Sequence, residues 1–240
     1  MNNNMQNFWY SPAYVIHMQA ELTKIYGQEI IDKDTQNFRK IGEMKCAAIM
    51  LLALHKAQGH HFYMQASKEE FPDVYTLYQE EVPGKLLDTK WQTVEVVTYD
   101  PHSEGDIADF ILKTKLMNPK KGYDEDTVIL CYIRKAGTYV DFNNIYEKLE
   151  KNKFKPTRVF IIGNLVGNVN MFVLTQVWPI IHHESVDYIE RTKAYPLPYR
   201  NFFVRGTPRT IESKTGPSLP INPYEPFDID EEKVKDKYKK

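Results

Sequence analysis

Two carboxylates in this chain stand where β-strands would hold them rigidly. Asp73 follows Pro72 at the head of the apolar run Val74-Tyr75-Thr76-Leu77-Tyr78, and Glu95 lies in the middle of the run from Trp91 to Tyr99. A residue that precedes proline is pushed toward extended geometry, so Phe71 predicts a strand opening just before Asp73. Side chains alternate along a strand, which sets Thr93, Glu95 and Val97 on one face and Val94 and Val96 on the other. A glutamate in so apolar a strand is at least half buried, and burying it unpaired costs several kcal/mol. Two partners answer that need. One is an arginine or lysine from a neighbouring element, and the other is a divalent cation shared with Asp73, since hard ions such as magnesium take oxygen ligands.

Several elements must position this pair. The region from Gln36 to Gln58 reads as a helix capped by Asp34 or Thr35 and closed by Gly59, with Ile41, Met44, Ala47, Ala48, Leu51 and Leu52 apolar on more than one face. It is the expected buried central helix. Glu43 lies toward its amino-terminal end, where the helix dipole alone accounts for an acid; the functional reading makes it a third acidic contributor, acting through water. His61 to Ala66 reads as a strand leading to Pro72-Asp73, and the polar segment from Glu80 to Lys90 links the two acidic strands. After Tyr99 the turn chemistry of Asp100 to Asp106 opens a helix to about Met117, with Asp109 and Lys113 spaced as an exposed pair.

This order resembles the core of the PD-(D/E)xK nucleases, the restriction-endonuclease-like fold, on Glu43, Pro72-Asp73 and Glu95-Val96-Val97. The resemblance covers about residues 36 to 135. It implies an α/β fold whose core is a helix, three strands, a helix and a strand. It also implies magnesium held by Asp73, Glu95 and the carbonyl of Val96, with Glu43 contributing, and DNA as substrate. One position departs from the pattern: Val97 stands where the family places a catalytic lysine. Some members of the family supply the amine from another element, and here the following helix offers Lys113, with Lys115 beside it, as the candidate substitute. A decayed centre is the alternative, leaving a catalytically inactive module that binds a protein or nucleic-acid partner.

The remaining chain extends that core. Thr127 to Ile133 is a continuous apolar run, expected as a strand buried on both faces, with Arg134 and Lys135 at its end. Asp141 to Lys151 reads as an amphipathic helix and Arg158 to Ile162 as a strand; together they form a parallel right-handed crossover within one larger sheet. Gly163 to Asn168 lacks the lysine and Ser/Thr of a P-loop and is expected to turn a hairpin into Asn170 to Trp178. Ser11 to Tyr26 is a further helix, and Gln28 to Asn37 a polar connection. The expected divisions are residues 1–35, a core over 36–190, and a basic, aromatic extension with a proline-rich tail over 191–240.

Charge is unevenly placed. Residues 1–110 hold 9 basic and 16 acidic side chains, whereas residues 111–160 hold 11 basic and 6 acidic. Arg134, Lys135, Arg200 and Arg205 are the candidate nucleic-acid contacts, the last two among aromatic rings that could stack on bases. The mixed-charge carboxyl-terminal segment is a candidate for ordering on a protein partner. Neither His55, His60 and His61 nor His182, His183 and Glu184 has zinc-site spacing. Two cysteines, Cys46 and Cys131, fit buried thiols in a reducing compartment. No apolar run reaches membrane-spanning length, and the amino terminus lacks the basic start and apolar core of a signal peptide, so a cytoplasmic location is expected.

Overall fold

The computed structural model describes residues 8–68, 72–80, 88–100, 102–103, 105–116, 126–134, 137–152, 158–195, 200–202 and 222–238. Among the described residues, nine strands form one mixed sheet, ordered β8-β7-β6-β5-β4-β3-β2-β1-β9. The chain is α/β, with helices on both faces of that sheet.

The long helix α3 (Thr35–Gln58) begins where the Asp34 side chain accepts from the Asn37 amide and ends at Gly59, whose φ of 77° is the left-handed cap a side chain would resist. Its apolar residues reach round the helix because it is packed against the sheet on one side and α1 (Pro12–Tyr26) on the other. Ser11 caps α1 through the Tyr14 amide, as the Ser-Pro pair predicts. Between these helices, the expected polar connection is instead a short helix, α2 (Gln28–Lys33). Glu29 and Lys33 pair four residues apart and favour that turn.

Strands β2 (His61–Ala66), β3 (Val74–Glu80) and β4 (Asp88–Tyr99) form an antiparallel meander. After helix α4 (Ile107–Ile111), which continues as a π-helical turn over Leu112–Leu116, β5 (Thr127–Ile133) adds parallel to β4. Asp106 caps α4, accepting from the Asp109 amide. Helix α5 (Phe142–Lys151) then carries the chain to β6 (Arg158–Leu165), parallel to β5, and a hairpin leads to β7 (Asn168–Trp178). Edge strand β8 (His182–Asp187) follows, blunted by Lys56, whose Nζ donates to Glu184 and the Ser185 carbonyl.

Two cores result. Val74, Val94, Val96, Val128 and Leu130 pack with α1 and α3 on one face, whereas Val97, Tyr99, Ile129 and Cys131 pack with α4 and α5 on the other. The alternation expected along β4 holds. Both cysteines are buried, and burial pushes each thiol up to about 12, so both are inert at neutral pH.

The ends of the chain join the same sheet: β1 (Phe8–Tyr10) pairs with β2 and with β9 (Arg200–Phe202). Helix α6 (Tyr188–Lys193) leads to Tyr195, whose hydroxyl accepts from the Phe62 amide and donates to the Phe62 carbonyl, closing an edge of β2. The carboxyl-terminal segment corrects the sequence expectation. Pro226 starts a 3-10 turn and Glu231–Lys237 forms helix α7; Tyr224, Phe227 and Val234 are buried. Residues 222–238 therefore fold back on this chain. No helix among the described residues is long and apolar enough to cross a membrane.

Candidate functional site

Strands β3 and β4 pair from Glu80 opposite Asp88 to Val74 opposite Val94, and there they part. Beyond Val94, β4 keeps β5 on one side and loses β3 on the other. The preceding residue on β3's side is Asp73, and its carboxylate does what a strand backbone would have done: Oδ2 accepts from the Val96 amide at 2.8 Å. The Asp73 carbonyl in turn accepts from the Ser67 amide at 3.1 Å, closing the β2–β3 turn. Asp73 is 5% exposed and held at both ends.

Helix α3 brings a cation to this split. Lys40 Nζ lies 3.8 Å from Asp73 Oδ1, donates to the Asp73 carbonyl at 3.4 Å, and lies 3.1 Å from Glu43 Oε2. Arg39 Nε approaches the other Glu43 oxygen at 3.1 Å. These contacts follow from helical spacing, which sets Arg39 and Lys40 one turn before Glu43. Burial, and then the charge on Asp73, push the Glu43 carboxyl above its usual range; Lys40 and Arg39 offset this only in part. A single ammonium thus sits between two carboxylates that repel each other.

Glu95 lies one residue from the amide that Asp73 holds, and it is fully buried. Val96 faces α3 and Val97 fills the opposite core beside Tyr99, Ile107 and Ile129. Of the residues read from sequence, the fold brings together Asp73, Glu43 and Val96; the Glu95 side chain, by the same alternation that sets Val97, lies on the face of the sheet away from α3. It does not bring Lys113 to them. Lys113 is exposed on the π-helical turn, and its expected partner Asp109 binds Lys148 at 2.8 Å instead, because α5 packs alongside α4. Arg134 is exposed at the end of β5, its amide donating to the Tyr99 carbonyl. Lys135 and Arg205 lie outside the described residues, as does the side chain of Arg200.

The residue that the sequence reading missed is Lys40. Its signal was the i,i+3 spacing to Glu43, legible once Glu43 was placed at the site. The oxygens of Glu43 and Asp73 converge on one cation seat, filled by Lys40 Nζ; carboxylate oxygens are also the donors that hard divalent ions prefer. Among the described residues, no three His, Cys, Asp or Glu side chains converge as a metal site, and Lys40 holds the position between the two acids. No family model, curated protein or solved structure matches the chain.

Proposed function

We propose that the chain is a nuclease-like protein that hydrolyses DNA phosphodiesters at the β3–β4 split, with magnesium as cofactor. The observation that carries this reading is the cluster itself: an Asp73 carboxylate fixed by the Val96 amide, facing Glu43 across the Lys40 ammonium. The element order supports it too, since α3, β2, β3, β4, α4 and β5 run as a helix, three antiparallel strands, a helix and a parallel strand.

In this reading Asp73 and Glu43 would hold the ion; the resemblance adds the Val96 carbonyl and Glu95, whose side chain the strand alternation sets on the face away from α3. Magnesium bound there would supply an activated water and positive charge to offset that on the phosphate. The chain's own part is orientation and charge. The Val96 amide fixes Asp73 in one rotamer, and Lys40 supplies from α3 the positive charge that Val97 cannot supply from β4. Losing one preorganised donor of this kind costs about 10²–10³ in rate.

The test is calorimetric titration of magnesium and manganese into wild type, Asp73→Asn and Lys40→Met, with plasmid cleavage on the same samples. Wild type is expected to bind metal and cut. Asp73→Asn is expected to do neither, while Lys40→Met binds metal and cuts about 10²–10³-fold more slowly. A wild type that neither binds nor cuts ends the nuclease reading.

That last outcome favours a second reading, a non-catalytic module of the same fold that binds a protein or nucleic acid. The complete burial of Glu95 and the packing of Val97 in the core are the observations behind it.

A further inference from the structure

The parallel strands β4, β5 and β6 end at the edge of the sheet that holds the split, and one element projects past that edge. Strand β6 keeps β5 only as far as Gly163, opposite Ile133, and β7 keeps β8 only from Met171, opposite Asp187. Residues 164–170 between those limits form a two-stranded finger that pairs with no further strand among the described residues.

The finger's shape is built in. The pairing jumps from Asn164 opposite Phe172 to Leu165 opposite Asn168, so three residues of β7 bulge out. Asn164 Nδ2 ties the bulge by donating to the Val169 carbonyl at 2.9 Å, and the Asn170 backbone amide donates to Asn168 Oδ1 at 3.0 Å. At the turn Gly167 takes a φ of 85°, which Val166 beside it would not adopt. The result is Val166 94%, Val169 80% and Leu165 49% exposed together. From Val159 to Ile181 the chain has no charged residue and no histidine, a span of 23 residues in a protein that is 26% charged. The exposed Arg134 stands at the root of the finger, one strand away.

Position relates this tip to the cluster. Glu95 lies level with Ile129, and Ile129 with Val159. Leu165 is therefore about 20 Å further along the strand direction and about 10 Å to the side of the split, from strand rise and spacing. A duplex crossing the edge with a phosphate at Asp73 passes the finger within its own width.

We propose that the tip of the β6–β7 hairpin is an apolar wedge that enters double-stranded DNA and loosens the stacking of a base step, with Arg134 taking a phosphate at its root. The substrate class rests on the nuclease reading. The tip suits this occupant, since an uncharged apolar tip suits the bases; at the root Arg134 is a single exposed cation, with Asp100 just after the end of the next strand and Asp187 on the β8 side. Two or three apolar side chains suffice to wedge a base step. The same few side chains fall far short of the roughly 800 Å² per partner that a stable dimer buries.

The experiment uses the full chain in EDTA, so that binding is read without cleavage. A fluorescent duplex gives affinity, and the same duplex with 2-aminopurine reports unstacking. Wild type is expected to bind and to raise the 2-aminopurine signal. Leu165→Ser/Val166→Ser/Val169→Ser, checked for an unchanged melting curve, is expected to bind about ten-fold more weakly and to leave the signal flat. Val166→Ile, which keeps the tip apolar, is expected to match wild type. If the triple variant misfolds, Val166→Ser alone carries the same expectation of a diminished signal. Equal binding and signal in wild type and the tip variants overturns the wedge, as does a wild type that binds no duplex. Tip-dependent dimers in sedimentation, or tip-dependent flotation with phosphatidylcholine–phosphatidylglycerol vesicles, without any 2-aminopurine response, overturn it in favour of self-association or lipid. Because plasmid cleavage by wild type and Asp73→Asn is scored separately, a wedge without nuclease activity and a nuclease without a wedge give different results.

Discussion

Helix α3 begins at one carboxylate and carries another in its third turn, and the protein treats them in opposite ways. At the start, Asp34 accepts from the Asn37 amide, Asn37 Nδ2, Lys237 Nζ and the Tyr238 hydroxyl at 3.3, 2.7, 2.9 and 2.7 Å. Burial alone would raise its carboxyl, yet these hydrogen bonds outweigh it and hold the group well below the usual range. Further along, Glu43 has two cations and still titrates high, because burial and the Asp73 charge outweigh them. A carboxylate with its hydrogen bonds filled is a fastener, here between α3 and the carboxyl-terminal helix. One held in conflict with another acid costs stability, and such costs gather where chemistry is done.

The largest effect expected from breaking this contrast is at the fastener. Asp34→Ala removes the α3 cap and both α7 anchors, and a loss of about 2 kcal/mol is expected by urea denaturation, at the upper end for a helix cap. Its pH dependence has a definite sign. Because the folded carboxyl lies below the unfolded one, the stability it contributes is present above the unfolded value near 4 and disappears as pH falls through the folded value. The difference between wild type and Asp34→Ala is therefore expected to shrink on acidification below about pH 4; a constant gap down to strong acid would contradict the assignment.

Tyr238→Phe removes one of the four donors to Asp34 and leaves the cap and the Lys237 contact. Its melting temperature is expected to fall between those of wild type and Asp34→Ala. A fall equal to that of Asp34→Ala would mean that α7 docking, rather than the cap, carries the whole effect.

Smallest, and opposite in sign, is Glu43→Gln. A carboxyl raised in the folded state costs stability as pH rises from the unfolded glutamate value through the folded one. Removing its charge is expected to leave the melting temperature at pH 7 equal to or above that of wild type, and the difference is expected to vanish below about pH 4. A clear loss at pH 7 would place Glu43 with Asp34 as a structural ion-pair member and erase the distinction.

Much of the local architecture was legible before folding was considered. Ser11-Pro12, Asp34 with Gly59, Asp106 and Asp141 mark helix boundaries that the structure keeps within a residue or two. The apolar runs of β2, β4, β5 and β6 and the hairpin at Gly167 are likewise where their periodicity sets them. Misreadings came where local signals were weak and packing decided. Residues 28–33 are helical because they bridge two packed helices. Residues 231–237 are helical because Tyr26, Phe38 and Asp34 offer them rings and a carboxylate to dock on.

Asp73 and Glu95 were found from sequence because strand alternation and the proline rule act over a few residues. Lys40 was missed and Lys113 favoured because the partner of a buried charge is chosen in space. Lys113 follows the acidic strands closely in sequence, but α4 leaves it in solvent; Lys40 precedes Asp73 by 33 positions, and the packing of α3 over the parted strands brings it to 3.8 Å from that carboxylate. Sequence by itself determined which backbone segments extend or coil and where two carboxylates enter the sheet, since those are contests among neighbours along the chain. Which cation meets those carboxylates, and that three exposed apolar side chains project past the same edge, was decided only by tertiary structure. Both depend on strand register and helix placement, which no local window contains.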